Sequence, residues 1–319
     1  MDINVTGFRI GHASDFKGLT GCTVVLCEDG AVAAMDLRGT ASGSRQLDSL
    51  YPIHLAEKAQ AVLLAGGSGF GLQAADGVVR YLEERQKGFA VGVGVVPLVP
   101  TAVVFDLLLG DAKARPTPEM GYQACVEART QALAEGSVGV GTGTKVGNIG
   151  GVMRAMKGGF GLARLSGRDG LEIFAAVVVN SFGDVRDYRT GEILAGVRGD
   201  AHSMTLADSN SLLLNEVIPT PPLFQNTTLA VVGTNARLSK VEATKVAQMA
   251  MNGVIKSISP ALTTYDGDIL FVLATGELCV DLNRIGYLGE LAVAEAVQRA
   301  VKLADGFGVL PAYRDLKRN

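Results

Sequence analysis

Glycine is the feature of this sequence that most constrains its fold: the chain has 41 glycines among 319 residues. They show no collagen period and no single low-complexity block, but stand singly and in pairs between short apolar runs. Because glycine permits sharp turns and close backbone approach, this distribution predicts a compact fold with many tight turns. With 48% hydrophobic residues, the chain is long enough for one large α/β domain or two modest ones.

Charge and hydropathy exclude several classes of function. A net charge of −3 lacks the basic excess of a nucleic-acid-binding protein. No run of about 18 apolar residues indicates a membrane span, and the first residues lack a signal-peptide pattern, so we expect a cytoplasmic protein. The histidines and cysteines fit no common metal spacing, which predicts buried free thiols and no metal site. These residues are His12, His54, His202, Cys22, Cys27, Cys125 and Cys279.

Strands and helices alternate along the chain, and several strands have antiparallel partners. Apolar runs predict strands at 22–26, 31–37, 61–65, 174–179, 229–232 and 269–273. A turn at 28–30 would join the first two as a hairpin. Helical spacing predicts helices at 72–86, within 116–135, after the capping box of Ser239 and Glu242, and at 288–303. Residues 196–225, polar and then proline-rich, predict a long surface loop. This order favours a layered α/β sandwich over a doubly wound sheet.

Two glycine-rich segments suggest phosphate binding at first sight, but their spacing is wrong. In the segment 139–145, Thr144 separates the last glycine from Lys145, whereas a phosphate-binding P-loop needs adjacent glycine and lysine. The segment 66–71 matches neither the GxSxG nor the GxGxxG pattern. We therefore interpret both as backbone that lines a cleft or passes close to a neighbour.

The junction of Asn226 and Thr227 is where the proline-rich segment enters an apolar strand. A threonine hydroxyl at this position can attack the preceding carbonyl, so that an acyl shift and hydrolysis cut the chain. The freed Thr227 then carries its nucleophile beside its own amine, which titrates near 8 and serves as a base without histidine. The same residues are also ordinary for a turn that leads into a strand, and locally both interpretations stay open.

The whole pattern resembles the L-aminopeptidase/D-esterase family, which includes the β-aminopeptidases, over nearly the whole chain from Gly7 to about Leu310. Together the matching stretches are specific, although each alone is weak. They are Thr20-Gly-Cys-Thr-Val-Val, Leu64-Ala-Gly-Gly-Ser-Gly-Phe-Gly-Leu with Ala75-Asp-Gly, Pro97 to Phe105-Asp106, Glu135-Gly-Ser-Val-Gly-Val-Gly-Thr-Gly, Met156-Lys-Gly-Gly, Val179-Asn-Ser-Phe-Gly-Asp, Asn226-Thr-Thr-Leu-Ala-Val-Val, Asp266-Gly-Asp and Ala274-Thr-Gly.

This resemblance implies a four-layer α-β-β-α sandwich that cuts itself into a large chain, 1–226, and a small chain, 227–319, which remain one folded domain. It also implies a homo-oligomer, expected to be a tetramer, and a hydrolase that removes the N-terminal residue from short peptides, amino-acid amides or esters. No cofactor is needed. Which residue is released, and whether it is an L-, D- or β-residue, stays open.

Site residues carry over position by position. Thr227 matches the family nucleophile, and Asn180 matches an asparagine that stabilises the oxyanion, a role in which a side-chain amide is effective. Asp266 and Asp268 align with a stretch that polarises the nucleophile, with Asp268 the better match. A substrate-ammonium site at Asp268 and a plain turn before the next strand are alternatives.

Four further residues are predicted to contact substrate. Gly67, Ser68 and Gly141 belong to the glycine-rich segments that line the cleft. Phe105 stands where some relatives have a tyrosine that donates a hydrogen bond, which phenylalanine cannot do. Two alternative functions remain: an acyltransferase of the ornithine-acetyltransferase type, which shares the self-cleaved threonine, and an uncleaved binding scaffold without enzymatic activity.

Overall fold

The computed structural model describes residues 1–215 and 226–316 of the chain. Its strands are β1 (Arg9–Asp15), β2 (Thr20–Leu37), β3 (Gly43–Arg45), β4 (Lys58–Ala65), β5 (Phe89–Ala90), β6 (Val95–Val96), β7 (Thr101–Val103), β8 (Lys145–Val146), β9 (Met156–Lys157), β10 (Gly159–Ser166), β11 (Glu172–Asn180), β12 (Asp184–Arg186), β13 (Ile193–Ala195), β14 (Thr227–Ala236), β15 (Ile258–Ser259) and β16 (Ile269–Leu278). Its helices are α1 (Ala74–Glu83), α2 (Pro118–Val126), α3 (Ser209–Asn215), α4 (Lys240–Ala250), α5 (Asn252–Ser257) and α6 (Leu282–Lys302).

A nine-stranded sheet carries the fold, in the order β10-β11-β14-β16-β2-β4-β7-β3, with β1 beside β2. The pairs β14–β16 and β4–β7 are parallel, and the other neighbours are antiparallel. Strand β2 belongs to both halves of this sheet. Its first residues pair with β1 and β4, whereas residues 32–37 pair with β16. The sheet therefore folds over at β2 into two layers.

Alternation of side chains along each strand separates the cores. In β11, Phe174, Ala176 and Val178 enter a central core shared with Val25 and Val62 of the other sheet layer. The intervening residues of β11 face α4 and α6 in a second core. A third core lies between α1, α2 and the outer faces of β2 and β4. The resulting order of helices, sheet, sheet and helices confirms the predicted four-layer sandwich.

The predicted hairpin at 28–30 is wrong. Residues 22–26 and 31–37 do not pair with each other, because each segment has better partners elsewhere in the sheet. The register of β2 against β4 shifts between Leu26 and Ala31, so the polar turn residues form a bulge where the strand changes layers.

The surface loop predicted at 196–225 is wrong for part of its length. Within it, Ser209 starts α3 and is buried, because its backbone N–H and its hydroxyl both donate to the Asp184 carboxylate. Arg198 is also buried. Residues 216–225, where the loop prediction continues, lie outside the described residues.

Most of the predicted helices and strands are present, with moved ends. Helix α2 is shorter than the predicted segment, and α6 begins at Leu282 rather than at 288. The capping box of Ser239 and Glu242 starts α4 as predicted. Three of the four thiols are buried as expected, but Cys279 is exposed. Among residues 1–215 and 226–316, no helix is both long and apolar enough to cross a membrane.

Helices α1 and α2 cross at reciprocal glycines. A Cβ atom added at Gly77 would lie 1.7 Å from the Pro118 carbonyl oxygen, and one added at Gly121 would lie 1.9 Å from the Ala74 carbonyl oxygen. Both obstacles are backbone atoms, so a side chain cannot move aside to relieve the overlap.

We expect Gly77→Ala to separate α1 from α2 and to lower the free energy of unfolding by about 1–3 kcal/mol. Gly94→Ala is the matched control, because nothing lies within 4 Å of the added methyl group there. Chemical denaturation of both variants measures the difference. Equal stability of the two would show that the helices tolerate a wider crossing.

Candidate active site

The predicted cleavage junction lies at the edge where three central strands meet. Thr227 is the first residue of β14, and it stands opposite Asn180 in the antiparallel ladder with β11. The preceding Asn226 forms a parallel bridge with Asp266, just before β16. Thr227 has the same parity along β14 as Leu229 and Val231, whose side chains enter the central core. The junction is therefore held between the two sheet layers, with Asn226 and Thr227 both buried.

Two donors hold the carbonyl group of Asn226. The Gly267 N–H donates to its oxygen at 2.8 Å, and the Thr227 hydroxyl donates to the same oxygen. A Cβ atom at position 267 would lie 2.9 Å from Thr227 Oγ1, so glycine leaves room for the hydroxyl. The hydroxyl thus contacts the carbonyl group that it would attack, and a backbone amide is in place to stabilise negative charge on the carbonyl oxygen.

The side chain of Asn226 is buried beside the Tyr265 carbonyl, and the space that it occupies is called the slot below. Its Nδ2 donates to the Tyr265 carbonyl oxygen at 3.3 Å. Its Oδ1 is buried and has no hydrogen-bond partner among the described residues. A buried amide oxygen without a donor costs free energy, so this slot is matched to the nitrogen of the amide and not to its oxygen.

Asp268 contacts the residue that follows Thr227. Its Oδ1 accepts the Thr228 N–H at 2.5 Å, and its Oδ2 accepts the Leu262 N–H at 3.3 Å. Burial and the neighbouring charge of Asp266 raise the pKa of the Asp268 carboxyl above its usual range. This carboxyl is bonded to the residue next to Thr227 and can exchange a proton close to neutral pH.

Asp266 is engaged differently, although burial also raises the pKa of its carboxyl. Its Oδ2 accepts from both the backbone N–H and the hydroxyl of Thr263, at 3.0 and 2.6 Å. Its Oδ1 accepts the Phe182 N–H at 3.3 Å. These bonds hold the turn that carries Gly267. The contacts of Asp266 therefore agree with the alternative that this residue belongs to a turn before β16.

Asn180 is completely buried, and its amide is oriented by two backbone groups. Its Oδ1 accepts the Lys145 N–H at 3.1 Å, and its Nδ2 donates to the Phe105 carbonyl oxygen at 3.3 Å. The first bond fixes Nδ2 as the donor side of the amide, which faces the Phe105 carbonyl. Position 105 therefore contributes its backbone here, which any residue type can do, while the Phe105 ring is half-buried.

A second cluster, of Asp106, Lys145 and Lys157, adjoins the first and was missed by the sequence analysis. Asp106 accepts hydrogen bonds from Thr20 Oγ1 and from the Gly67 N–H, both at 2.7 Å. Burial raises the pKa of Asp106 and lowers the pKa of Lys145 to about 8 and that of Lys157 to about 7, each lysine being partly stabilised by the aspartate. Each lysine lies close to glycines in the sequence, but nothing in the sequence indicates that its ammonium group is buried.

The structure thus divides the predicted site residues into two groups. The first group meets at the junction and consists of Asn226, Thr227, Asn180, Asp266, Asp268 and the Phe105 carbonyl. The glycine-segment residues lie at the second cluster. Gly141 accepts the Lys157 ammonium at 2.8 Å, and Ser68 donates its N–H to Val104 at 3.0 Å beside Gly67. The two clusters are joined through Lys145, whose backbone orients Asn180.

Comparison with known proteins places this chain in a family. Residues 3–305 match the model of peptidase family S58. An uncharacterised aminopeptidase of Mycobacterium leprae is 37% identical over 97% of this chain and 92% of its own length. A 6-aminohexanoate-oligomer endohydrolase of Paenarthrobacter ureafaciens is 31% identical over 90% of this chain and 78% of its own length.

Solved structures share the fold. The L-aminopeptidase D-Ala-esterase/amidase of Ochrobactrum anthropi, described as a variant of the N-terminal-nucleophile (Ntn) hydrolase fold, superposes with a TM-score of 0.72 at 19% identity, covering 95% of this chain and 86% of that one. A β-aminopeptidase of Burkholderia gives 0.68 at 20% identity over 98% and 90%. The chain therefore belongs to peptidase family S58, as a hydrolase with the Ntn fold.

Proposed function

We propose that this chain cuts itself between Asn226 and Thr227, and that the freed Thr227 then hydrolyses the N-terminal residue from short peptides, amino-acid amides or esters. The observation that carries this proposal is the pair of donors on the Asn226 carbonyl oxygen, one from Gly267 and one from the Thr227 hydroxyl. A backbone donor and a nucleophile on one buried carbonyl are the parts that acyl transfer requires.

In the scission step, Thr227 Oγ1 bonds to the Asn226 carbonyl carbon, the C–N bond breaks, and the Thr227 nitrogen takes the hydroxyl proton. Water then hydrolyses the resulting ester, which leaves a carboxylate on Asn226 and an amine on Thr227. In turnover, the same hydroxyl attacks the substrate carbonyl while the amine accepts its proton. The departing amine or alcohol takes that proton, and water releases the acyl group.

The sheet keeps the two products of scission together. Strand β14, which would begin the small chain, lies between β11 of the large chain and β16 of the small chain. Strand β16 in turn pairs with β2 of the large chain. Cutting at 226 therefore leaves a continuous sheet and a continuous core, which supports a two-chain enzyme that stays folded as one domain.

Asn180 and Asp268 take the supporting roles in this proposal. Asn180 lies opposite Thr227 in the ladder, and in this proposal its Nδ2 supplies a second donor for the oxyanion. Asp268 is bonded to the Thr228 N–H and stands next to the amine that scission creates. We assign Asp266 to positioning, because its oxygens hold Thr263 and Phe182.

Substitution of the nucleophile tests scission. Thr227→Ala should give only the intact chain, whereas Thr227→Ser should still yield fragments 1–226 and 227–319, because serine retains the attacking hydroxyl. Intact mass spectrometry measures both. Thr228→Ala is the matched control and should cleave, since its side chain has no role in the chemistry. Cleavage of Thr227→Ala would refute Thr227 as the nucleophile.

Substitution of the oxyanion donor tests turnover. In the cleaved fraction, Asn180→Ala should lower kcat for aminoacyl amides by about 10²–10³-fold. Asn235→Ala, near the far end of β14, is the control and should leave kcat nearly unchanged. Chromatographic detection of the free acid, with and without an added amine, distinguishes hydrolysis from acyl transfer. An undiminished kcat in Asn180→Ala would remove this residue from the mechanism.

The raised pKa of Asp268 predicts a pH dependence of stability in the uncleavable Thr227→Ala chain. The folded chain keeps a proton that the unfolded chain releases near about pH 3.9, so stability is complete at acid pH and falls as the pH rises toward the folded-state pKa. Relative to Thr227→Ala/Asp268→Asn, the loss approaches about 1.4 kcal/mol per pH unit. Denaturant titrations between about pH 5 and 7 measure it. A constant difference between the two chains would contradict the raised pKa.

A further inference from the structure

In the uncleaved chain, Asn226 stands where the acyl residue of a substrate must stand. It supplies the carbonyl that Thr227 attacks, and it is only 1% exposed. Three neighbouring backbone features define its position: the bridge to Asp266, the Gly267 N–H on its carbonyl oxygen, and the Tyr265 carbonyl at the end of its side chain. In the uncleaved chain, residue 226 therefore shows how an acyl residue can be held at this position.

We propose that the slot of Asn226 becomes the acyl-residue subsite of the mature enzyme, and that it selects a small residue whose side chain ends in an N–H donor. This proposal rests on the proposed function, because a substrate enters the slot only after scission. It adds which substrate is preferred, namely an asparaginyl-like amide.

Scission itself empties the slot. It converts the Asn226 carbonyl into a carboxylate at a position that is almost fully buried. A carboxylate buried there loses its hydration, which costs free energy. The new chain end is thereby driven out, and the Gly267 N–H becomes available to a substrate carbonyl.

The polar groups in the slot set its preference. The Tyr265 carbonyl accepts the Asn226 Nδ2, while Oδ1 meets no donor among the described residues. A side chain with an N–H group at this position therefore binds more favourably, because it can donate a hydrogen bond to the Tyr265 carbonyl. Leucine has nearly the same shape as asparagine but forfeits the hydrogen bond. Aspartate would set a carboxylate oxygen against the carbonyl oxygen, which is worse.

The first test uses three matched p-nitroanilides of L-asparagine, L-leucine and L-aspartate with the cleaved protein. We expect kcat/KM for the asparaginyl compound to exceed that for the leucyl compound by about 10-fold or more, since a buried polar group loses its partner with leucine. The aspartyl compound should be the slowest. Release of p-nitroaniline is followed by absorbance.

The outcomes separate this inference from the proposed function. Equal or faster turnover of the leucyl compound contradicts the proposed slot preference but agrees with the proposed hydrolase function. If the cleaved protein turns over none of the three, both proposals fail for α-aminoacyl substrates.

A second test reads the slot without any substrate. Asn226→Leu and Asn226→Asp should slow scission of the freshly made chain in the same order that the p-nitroanilides show, because the same slot holds residue 226 during scission. Time-resolved intact mass spectrometry gives the rates. If the Leu variant cleaves as fast as the parent chain, or if the order in scission differs from the order in turnover, the slot is not shared and the inference is wrong.

Discussion

The hydrogen bond from Gly267 to the Asn226 carbonyl is the contact on which the candidate site depends. It closes the bridge between Asn226 and Asp266, and the parallel pairing of β14 with β16 continues from that point. The same bridge fixes where Thr227 begins its strand, so the direction of its hydroxyl follows from main-chain pairing. A site built on central strands is held more rigidly than one built on a surface loop.

Burial gives the polar groups of the site their unusual properties. Asp268 lies where water cannot stabilise its charge, and its neighbour Asp266 opposes ionisation further. Each carboxyl nevertheless accepts backbone N–H groups, which offset part of the cost of burial and fix its geometry. The lysines of the second cluster follow the same rule in the opposite direction, since burial favours their neutral form. Both clusters can therefore exchange protons near neutral pH.

The central strands and the junction can be predicted from the sequence because their signals lie in short runs of neighbouring residues. A continuous apolar run such as that of β11, ending in Asn180, indicates a strand buried on both faces. The path of β2 is not local: its two halves prefer β4 and β16 over each other, and no turn signal reports that competition. Lys145 and Lys157 were missed for the same reason, since only packing reveals that their ammonium groups are buried.

This dependence on long-range pairing links folding to chemistry. Thr227 meets Asn180 across one ladder, and its preceding carbonyl meets Gly267 across another, so the groups for the proposed scission come together only when β11, β14 and β16 are assembled. Before that, the Asn226–Thr227 bond has the stability of any peptide bond. Under the proposed function, a nucleophile that depends on the finished sheet would be produced only by correctly folded molecules, and the same sheet would retain both pieces after the cut.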